Sequence, residues 1–317
     1  MAHFYWGNDK LPFLRYLSLY SFRKYNPDWR IILHVPTDIY VGALVNQPSE
    51  LGENAQTTFQ FTGKDYYPIL KANKSIEIIK TNLDFKFNNF YQHREVYKSD
   101  FFRWNLLNTI GGLWSDMDII YFRPITHLDI NTIDNCETKI GISIHPKYKH
   151  SIGFLLAAPD TPYYKYIIKK SKYIIKKPEK FDHNNYQTLG ALLFNKKFPT
   201  VQHIEYTFPS LTGQVKNISL DTVYSYDAFM IKAIHLNNDI SKYTKDSIGL
   251  HWYGGHRYAL ENVQKVNHKN YQNLNNVLGS TIKIMYGGIP PVEIKKIYNV
   301  PWNSPVEKIV FCDGSLY

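Results

Sequence analysis

Residues 2–6 (AHFYW) form a short apolar run closed by Gly7-Asn8-Asp9, a pattern that predicts a buried strand ended by a turn. The period then changes. Over residues 12–25, Leu14, Leu17, Leu19 and Phe22 supply the apolar side of a helix with Pro12 in its first turn, where a missing N–H costs nothing. Asn26-Pro27-Asp28 stops that helix, and residues 29–35 (WRIILHV) return to a buried-strand pattern. Strand, helix and strand in succession open a βαβ unit, which predicts a parallel or mixed sheet.

Residues 37–75 carry no sustained period and are read as loop-rich, followed by a short strand over 75–80 (SIEIIK). The spacing over 94–110 predicts a helix, with Gly111-Gly112 where a C-terminal glycine cap belongs. Residues 113–121 are read as one continuous strand closed by Arg123-Pro124, with further strands over 139–144 and 154–157. Residues 165–177 repeat KYIIKK, with the isoleucine pairs seven residues apart. At helical pitch this gives an apolar stripe flanked by lysines. The expectation is a surface helix packed on the sheet; the sharper alternative is peripheral contact with an anionic membrane. The predicted fold class is α/β, a Rossmann-type mixed sheet flanked by helices in a single main domain over 1–257. The more polar residues 258–317 are expected as a C-terminal extension or small subdomain.

Composition changes this picture little. The chain has 317 residues, 44% of them apolar and 20% charged, so a sizeable core forms without disulfides or a structural metal. Its two cysteines, Cys136 and Cys312, have no ligand-like spacing and are expected as free thiols in a reducing compartment. No basic segment followed by an apolar one opens the chain, and no run of eighteen apolar residues occurs, so neither a signal peptide nor a spanning helix is expected. The expected location is cytoplasmic, or peripheral at a membrane surface. The net charge of +10 at pH 7 suits anionic partners. Nucleic acid is not expected, because the basic residues form no helix-turn-helix or finger pattern. Phosphate-binding, dinucleotide, zinc-protease and nucleophile-elbow motifs are all missing.

The chemistry concentrates in SDFFRWNLLNTIGGLWSDMDIIYF, residues 99–122. Asp100 and Arg103 lie three apart on the predicted helix and hence on one face. In a continuous strand, alternation would put Trp114, Asp116 and Asp118 on one face. Two carboxylates so placed can share one cation near the strand's C-terminal end, where ligands bind in open α/β sheets. Oxygen ligands of this kind suit Mg2+ or Mn2+. The plainer alternatives are two acids that cap a turn, and a surface ion pair between Asp100 and Arg103.

This stretch resembles glycosyltransferases with a DXD sugar-binding region, the group that includes outer-chain-initiating mannosyltransferases and capsule and glycolipid enzymes and is distantly similar to glucosylating clostridial toxins. The resemblance is carried by Ser99, Asp100, Arg103, Leu107, Gly111, Gly112, Asp116 and Asp118, with Trp114 in place of the usual tyrosine. It continues at Phe4-Tyr5-Trp6-Gly7, at SFRKYNPDWRIILH, and at residues 151–159, where Ile152 stands for a common asparagine. A further similar segment is Gln187-Thr188-Leu189-Gly190-Ala191, where Ala191 stands for a proline.

The resemblance implies a GT-A-like fold and a metal-dependent enzyme, a hexosyltransferase by expectation. Such an enzyme moves a sugar from a UDP- or GDP-sugar to a glycan, glycolipid or protein acceptor, in polysaccharide biosynthesis and with retention of configuration. It implies Mn2+ or Mg2+ on Asp116 and Asp118, with His251 of GLHWYGGHR as a third ligand to metal or donor diphosphate. It also implies Trp6 against the nucleobase, Asp100 and Arg103 on sugar hydroxyls, and Asp116 shared between metal and sugar nucleotide. His256, Arg257 and Asp227 are weaker candidates. Two alternatives stand beside this reading: a catalytically degenerate carbohydrate-binding protein, and a metal-dependent phosphohydrolase using the same two aspartates.

Overall fold

The computed structural model describes residues 1–39, 44–45, 58–59, 61–83, 94–127, 140–145, 149–181, 185–219, 231–238 and 247–287. The opening βαβ unit is present as β1 (Ala2–Tyr5), α1 (Phe13–Tyr25) and β2 (Ile31–Pro36). A small antiparallel ladder joins β3 (Leu44–Val45) to β4 (Thr58–Phe59). A six-residue helix, α2 (Tyr67–Ala72), precedes β5 (Ile76–Thr81) inside the region read as loop. It is too short to establish a hydrophobic period, and its Pro68 reads as a breaker although it occupies the tolerated first turn.

The long helix α3 (Arg94–Thr109) ends as expected at the glycine pair. Gly111 and Gly112 have φ of +73° and +96°, values that favour residues without a Cβ. The chain continues through β6 (Gly112–Ser115), β7 (Ile119–Tyr121), β8 (Ile140–His145), β9 (Lys149–Ala157) and α4 (Pro162–Lys176). Then follow α5 (Ala191–Lys197), α6 (Val201–Thr207), β10 (Val215–Ser219) and α7 (Ile231–Leu236). The last elements are β11 (Gly249–His251), α8 (Arg257–Lys265) and α9 (Val277–Met285).

Among the described residues the main sheet has seven strands in the order β10-β8-β9-β6-β1-β2-β5. The pairs β1–β2, β1–β6, β2–β5 and β8–β10 are parallel; β9 runs antiparallel to both neighbours. The expected α/β class with a mixed sheet is what the chain forms. Alternation along the strands sends their side chains to two clusters, and a third, with Tyr97, Phe101, Ile174, Ile175 and Leu189, lies between α3 and α4. Ala2, Phe4, Leu33, Leu113 and Leu156 face one hydrophobic cluster with Leu14, Leu17 and Phe22 of α1. Tyr5, Trp114 and Leu155 face a second with Trp104 and Leu107 of α3, Tyr163 and Ile167 of α4, and Phe194. Ala259, Val263, Val277, Leu278 and Ile282 belong to the first cluster, so the described part of residues 258–317 packs into the same core as β1.

The repeat helix α4 turns its stripe inward. Ile167, Ile174 and Ile175 are buried, while Lys165, Lys169, Lys170, Lys172, Lys176 and Lys177 are exposed. The side chains a membrane would have to receive are therefore occupied in the core. Among the described residues no helix is long and apolar enough to cross a membrane. Cys136 and Cys312 lie outside the described residues.

Among the described residues, three histidines are buried within this frame. His3 Nδ1 and His34 Nε2 are 3.0 Å apart between β1 and β2, and His235 bridges α7 to the segment after β11. Burial pushes their imidazoles down, to about 3 for His3, where the neighbouring His34 adds to the effect, and to about 4 for His34 and His235. In the unfolded chain they titrate near 6.5. Between these values the unfolded state binds the more protons, so their contribution to stability is complete above about pH 6.5 and is lost as pH falls toward 4. Urea midpoints measured from pH 7.5 to 4.5 should fall below pH 6.5, and a His3→Gln/His34→Gln pair should show a shallower fall. An equal slope in both proteins would rule the histidines out as the cause.

Candidate active site

The Asp-x-Asp segment is not part of a continuous strand, contrary to the reading of residues 113–121. The main-sheet strand β6 ends at Ser115, Asp116 is irregular, and Met117-Asp118 form a turn. The chain then enters β7, which pairs only with β11 in a separate two-stranded sheet. Alternation therefore does not set the two carboxylates. A junction between two sheets does, and it gives them different partners.

Asp116 belongs to the α3 side. Its Oδ1 accepts from Arg103 Nη2 at 2.9 Å and from Trp114 Nε1 at 2.8 Å. The tryptophan that replaces the usual tyrosine thus donates directly to the motif's first acid. Arg103 also lies 4.8 Å over the Trp114 ring, and its Nη1 is 3.2 Å from Asp100 Oδ1. The spacing of Asp100 and Arg103 on one helix face is therefore met, but as part of a buried Asp100–Arg103–Asp116 chain of charges. Only Asp116, with its side chain 30% exposed, reaches the surface; Asp100 and Arg103 are about 3% exposed. Gly190 backs Asp100 so closely that a Cβ would collide with its carboxylate. The similar loop at 187–191 is thereby placed behind the site, held by Trp104 Nε1 donating to Leu189 O at 2.8 Å. Burial raises the Asp100 carboxyl to about 7 and Asp116 adds to the rise, against the opposing pull of Arg103.

Asp118 belongs to the β7–β11 side. His251 pairs with Ile119 in that ladder, and Trp252 N donates to Asp118 O at 2.9 Å. This brings His251 Nε2 to 3.1 Å from Asp118 Oδ1. On the other oxygen, Gly254 N donates at 2.9 Å and Arg15 Nη1 lies 3.5 Å away. Burial alone would raise this carboxyl; the facing His251 ring, the Arg15 guanidinium and the Gly254 N–H outweigh it and hold it well below the carboxylate range. The turn after His251 is strained: Tyr253 has φ of +51°, which for a non-glycine residue costs on the order of 1–2 kcal/mol.

The residues present fit a hard divalent ion in part. Asp118 Oδ1 is buried without a well-formed hydrogen bond and faces an imidazole nitrogen. Two ligands at right angles on an ion 2.0–2.1 Å from each are about 3 Å apart, close to the observed spacing of Oδ1 and Nε2. Carboxylate oxygen suits Mg2+ or Mn2+, and an imidazole beside it fits a transition-metal ion such as Mn2+ better than Mg2+. Asp116 is not grouped with them: among the described residues no three His, Cys, Asp or Glu side chains are gathered as a ready metal cage. The structure thus joins two of the three expected ligands.

Trp6 follows β1 and is largely buried, its Nε1 donating to Lys10 O at 2.8 Å. His256 caps α8, with Nδ1 accepting from Tyr258 N. Asp227 and the Arg257 side chain lie outside the described residues. Arg15 was not anticipated. In the sequence it sits beside Leu14 in an amphipathic helix and reads as a solvated base. The available signal was its place in a first turn with no acid, where the helix dipole disfavours a cation.

Residues 15–139 match the family model described as glycosyltransferase sugar-binding region containing DXD motif. No curated protein matches the chain. Among solved structures it is similar to the PaToxG glycosyltransferase, at 14% identity over 92% of this chain and 85% of that one, with a TM-score of 0.40. It is similar to the galactosyltransferase LgtC in complex with donor and acceptor sugar analogs, at 14% identity over 86% of this chain and 100% of that one, TM-score 0.41. It is also similar to the glycosyltransferase GlyE of Streptococcus pneumoniae TIGR4, at 12% identity over 96% of this chain and 66% of that one, TM-score 0.43. The resemblance to DXD glycosyltransferases is thus met by the family model over residues 15–139.

Asp100 provides a test of the buried charge chain. Its folded value, about 7, lies above its unfolded one near 3.9, so its contribution to stability is present at low pH and is lost as pH rises toward 7. Asp100→Asn, which mimics the protonated form, should match wild type near pH 4 and become the more stable protein by a few kcal/mol at most by pH 8. A difference in unfolding free energy that does not vary between pH 4 and 8 would refute the assignment.

Proposed function

We propose that the chain is a metal-dependent glycosyltransferase that takes a UDP- or GDP-sugar and transfers the sugar to a glycan, glycolipid or protein acceptor with retention of configuration. The observation that carries the reading is the pairing of Asp118 Oδ1 with His251 Nε2 at 3.1 Å, two residues after the motif's first acid, Asp116, which is the exposed end of a buried charge chain. In this reading Asp118 and His251 hold Mn2+ or Mg2+, with Asp116 completing the set. The ion, when bound, stabilises the charge that develops on the leaving nucleoside diphosphate.

The chain's own residues supply orientation. Arg103 and Trp114 fix one oxygen of Asp116, leaving the exposed part of that carboxylate for the ion and the donor. Asp100 and Arg103 stand behind it and, in the proposal, set the pocket for the sugar hydroxyls. Positioning of this kind lowers a barrier by fixing the reacting carbon relative to its acceptor before the reaction begins. Trp6 is proposed to border the nucleobase. The β7–β11 ladder holds Asp118 and His251 together, so their spacing is set by backbone hydrogen bonds rather than by flexible side chains. Retention and the class of acceptor rest on the resemblance in residues 99–122.

Nucleoside diphosphate release separates this reading from its alternatives. With UDP- and GDP-sugars, Mn2+ and a panel of carbohydrate acceptors, wild type should release product, and Asp118→Asn should lower the rate by ~100-fold or more, as loss of an electrostatic catalytic group does. No release from wild type under any of these conditions would leave a carbohydrate-binding protein. Release as fast with water as with every acceptor would point to a hydrolase. Because binding stabilises the native state by mass action, thermal shifts with UDP-, GDP-, CMP- and dTDP-sugars identify the donor first.

A further inference from the structure

Arg15 stands beside Asp118. It rises from the first turn of α1, and its guanidinium lies 5.3 Å from the Trp6 ring and 4.8 Å from the Trp252 ring. Cation–π contacts on two sides hold such a group without using its N–H donors. Its tie to Asp118 is long, 3.5 Å from Nη1 to Oδ2, and its buried Nε makes no hydrogen bond among the described residues. Gly254 closes over it: a Cβ there would sit on Arg15 Nη2 and the Trp252 ring. The same glycine's N–H serves Asp118 Oδ2 at 2.9 Å, so that oxygen keeps a donor if Arg15 leaves.

These features describe a cation held near the acid by stacking and only loosely bonded to it. A divalent ion on Asp118 would set a second positive charge beside the guanidinium and repel it. A diphosphate would attract both, and a guanidinium fork matches its paired oxygens. We propose that Arg15 neutralises Asp118 while the metal is away and, once the metal takes Asp118, binds the diphosphate of the donor. The proposal rests on the reading of Asp118 as a metal ligand.

Charge exchange of this kind predicts effects of opposite sign. In Arg15→Gln, calorimetric titration with MnCl2 alone should show tighter binding, by about threefold to tenfold, because a repelling charge is gone. Titration of the Mn2+-loaded variant with UDP or GDP should show binding weaker by about tenfold or more, the scale of a lost charge-assisted hydrogen bond. Arg15→Lys, which keeps the charge, should fall between wild type and Arg15→Gln in both titrations. A folding defect would weaken both ligands together, so loss of both, or no change in either, overturns the proposal. If wild type takes up no Mn2+, or binds neither nucleotide, the metal and nucleotide-sugar reading fails and this inference falls with it. If wild type binds both, Asp118→Asn binds no Mn2+ and Arg15→Gln matches wild type, only the role of Arg15 is refuted.

Discussion

A carboxylate taken out of water must be given back its charge balance, and two such groups separated by one residue set the design of this molecule's centre. Desolvation costs several kcal/mol per ion before any compensation. Asp116 and Asp118 are compensated separately: one by Arg103 and the Trp114 indole from the α3 side, the other by Arg15, His251 and a backbone N–H from the opposite side. Three stretches of chain far apart in sequence, around Arg15, residues 103–118 and residues 251–254, converge here for that reason. Remove the acids, and Arg15 keeps only its two aromatic neighbours, while Arg103 keeps Asp100 as its one carboxylate partner among those described.

The turn between β6 and β7 is what makes two sets of partners possible. Had the strand continued, both acids would have projected from one pleat and competed for the same cations. Breaking at Asp116 lets β6 remain in the main sheet while β7 leaves it to pair with β11. The late segment is then carried to the motif by main-chain hydrogen bonds, with Phe122 N donating to Ile248 O and Trp252 N to Asp118 O, both at 2.9 Å. His235 steadies the same segment from below. Its Nε2 lies 2.8 Å from Trp252 O and its Nδ1 3.0 Å from the Asn262 side chain. Held neutral by burial, it can donate at one nitrogen and accept at the other, and so it links α7 and α8 to the loop carrying His251.

Where the chain's own local chemistry decides the structure, the sequence was legible. The opening βαβ unit, the helix ended by two left-handed glycines, and the inward stripe of α4 each follow from a period or a cap acting over a few residues. The joint presence of Asp100, Arg103, Asp116 and Asp118 was legible too, as a pattern. Their arrangement was not. Nothing in GGLWSDMDII marks a break at Asp116, because apolar residues on both sides continue a strand pattern; the break is imposed by β11, more than a hundred residues later. Arg15 was hidden for the same reason: a cation beside leucines in a helix looks solvated until Trp252 and Gly254 arrive to cover it. The short α2 failed for lack of length, since one and a half turns cannot display a 3.6-residue period.

The charge arrangement also bears on the order in which ligands could enter. With Asp100 protonated and His251 in the neutral form that a metal ligand requires, the two arginines and the two motif acids carry charges that cancel, so the site stands near neutrality by pairing within itself. In the proposed function a divalent ion adds two positive charges to a region already balanced, and nothing among its described neighbours absorbs them. An anionic donor does. Each ligand then lowers the electrostatic cost of the other, and by linkage the coupling is reciprocal: the ion improves the site for the diphosphate by as much as the diphosphate improves it for the ion. A site neutral on its own and strongly charged with only one ligand favours the states in which both are bound or both are absent. In the proposed function the pairing of Asp118 with His251 is then the part of a metal site that the backbone builds in advance, and Asp116, with one oxygen held by Arg103 and Trp114, would complete it.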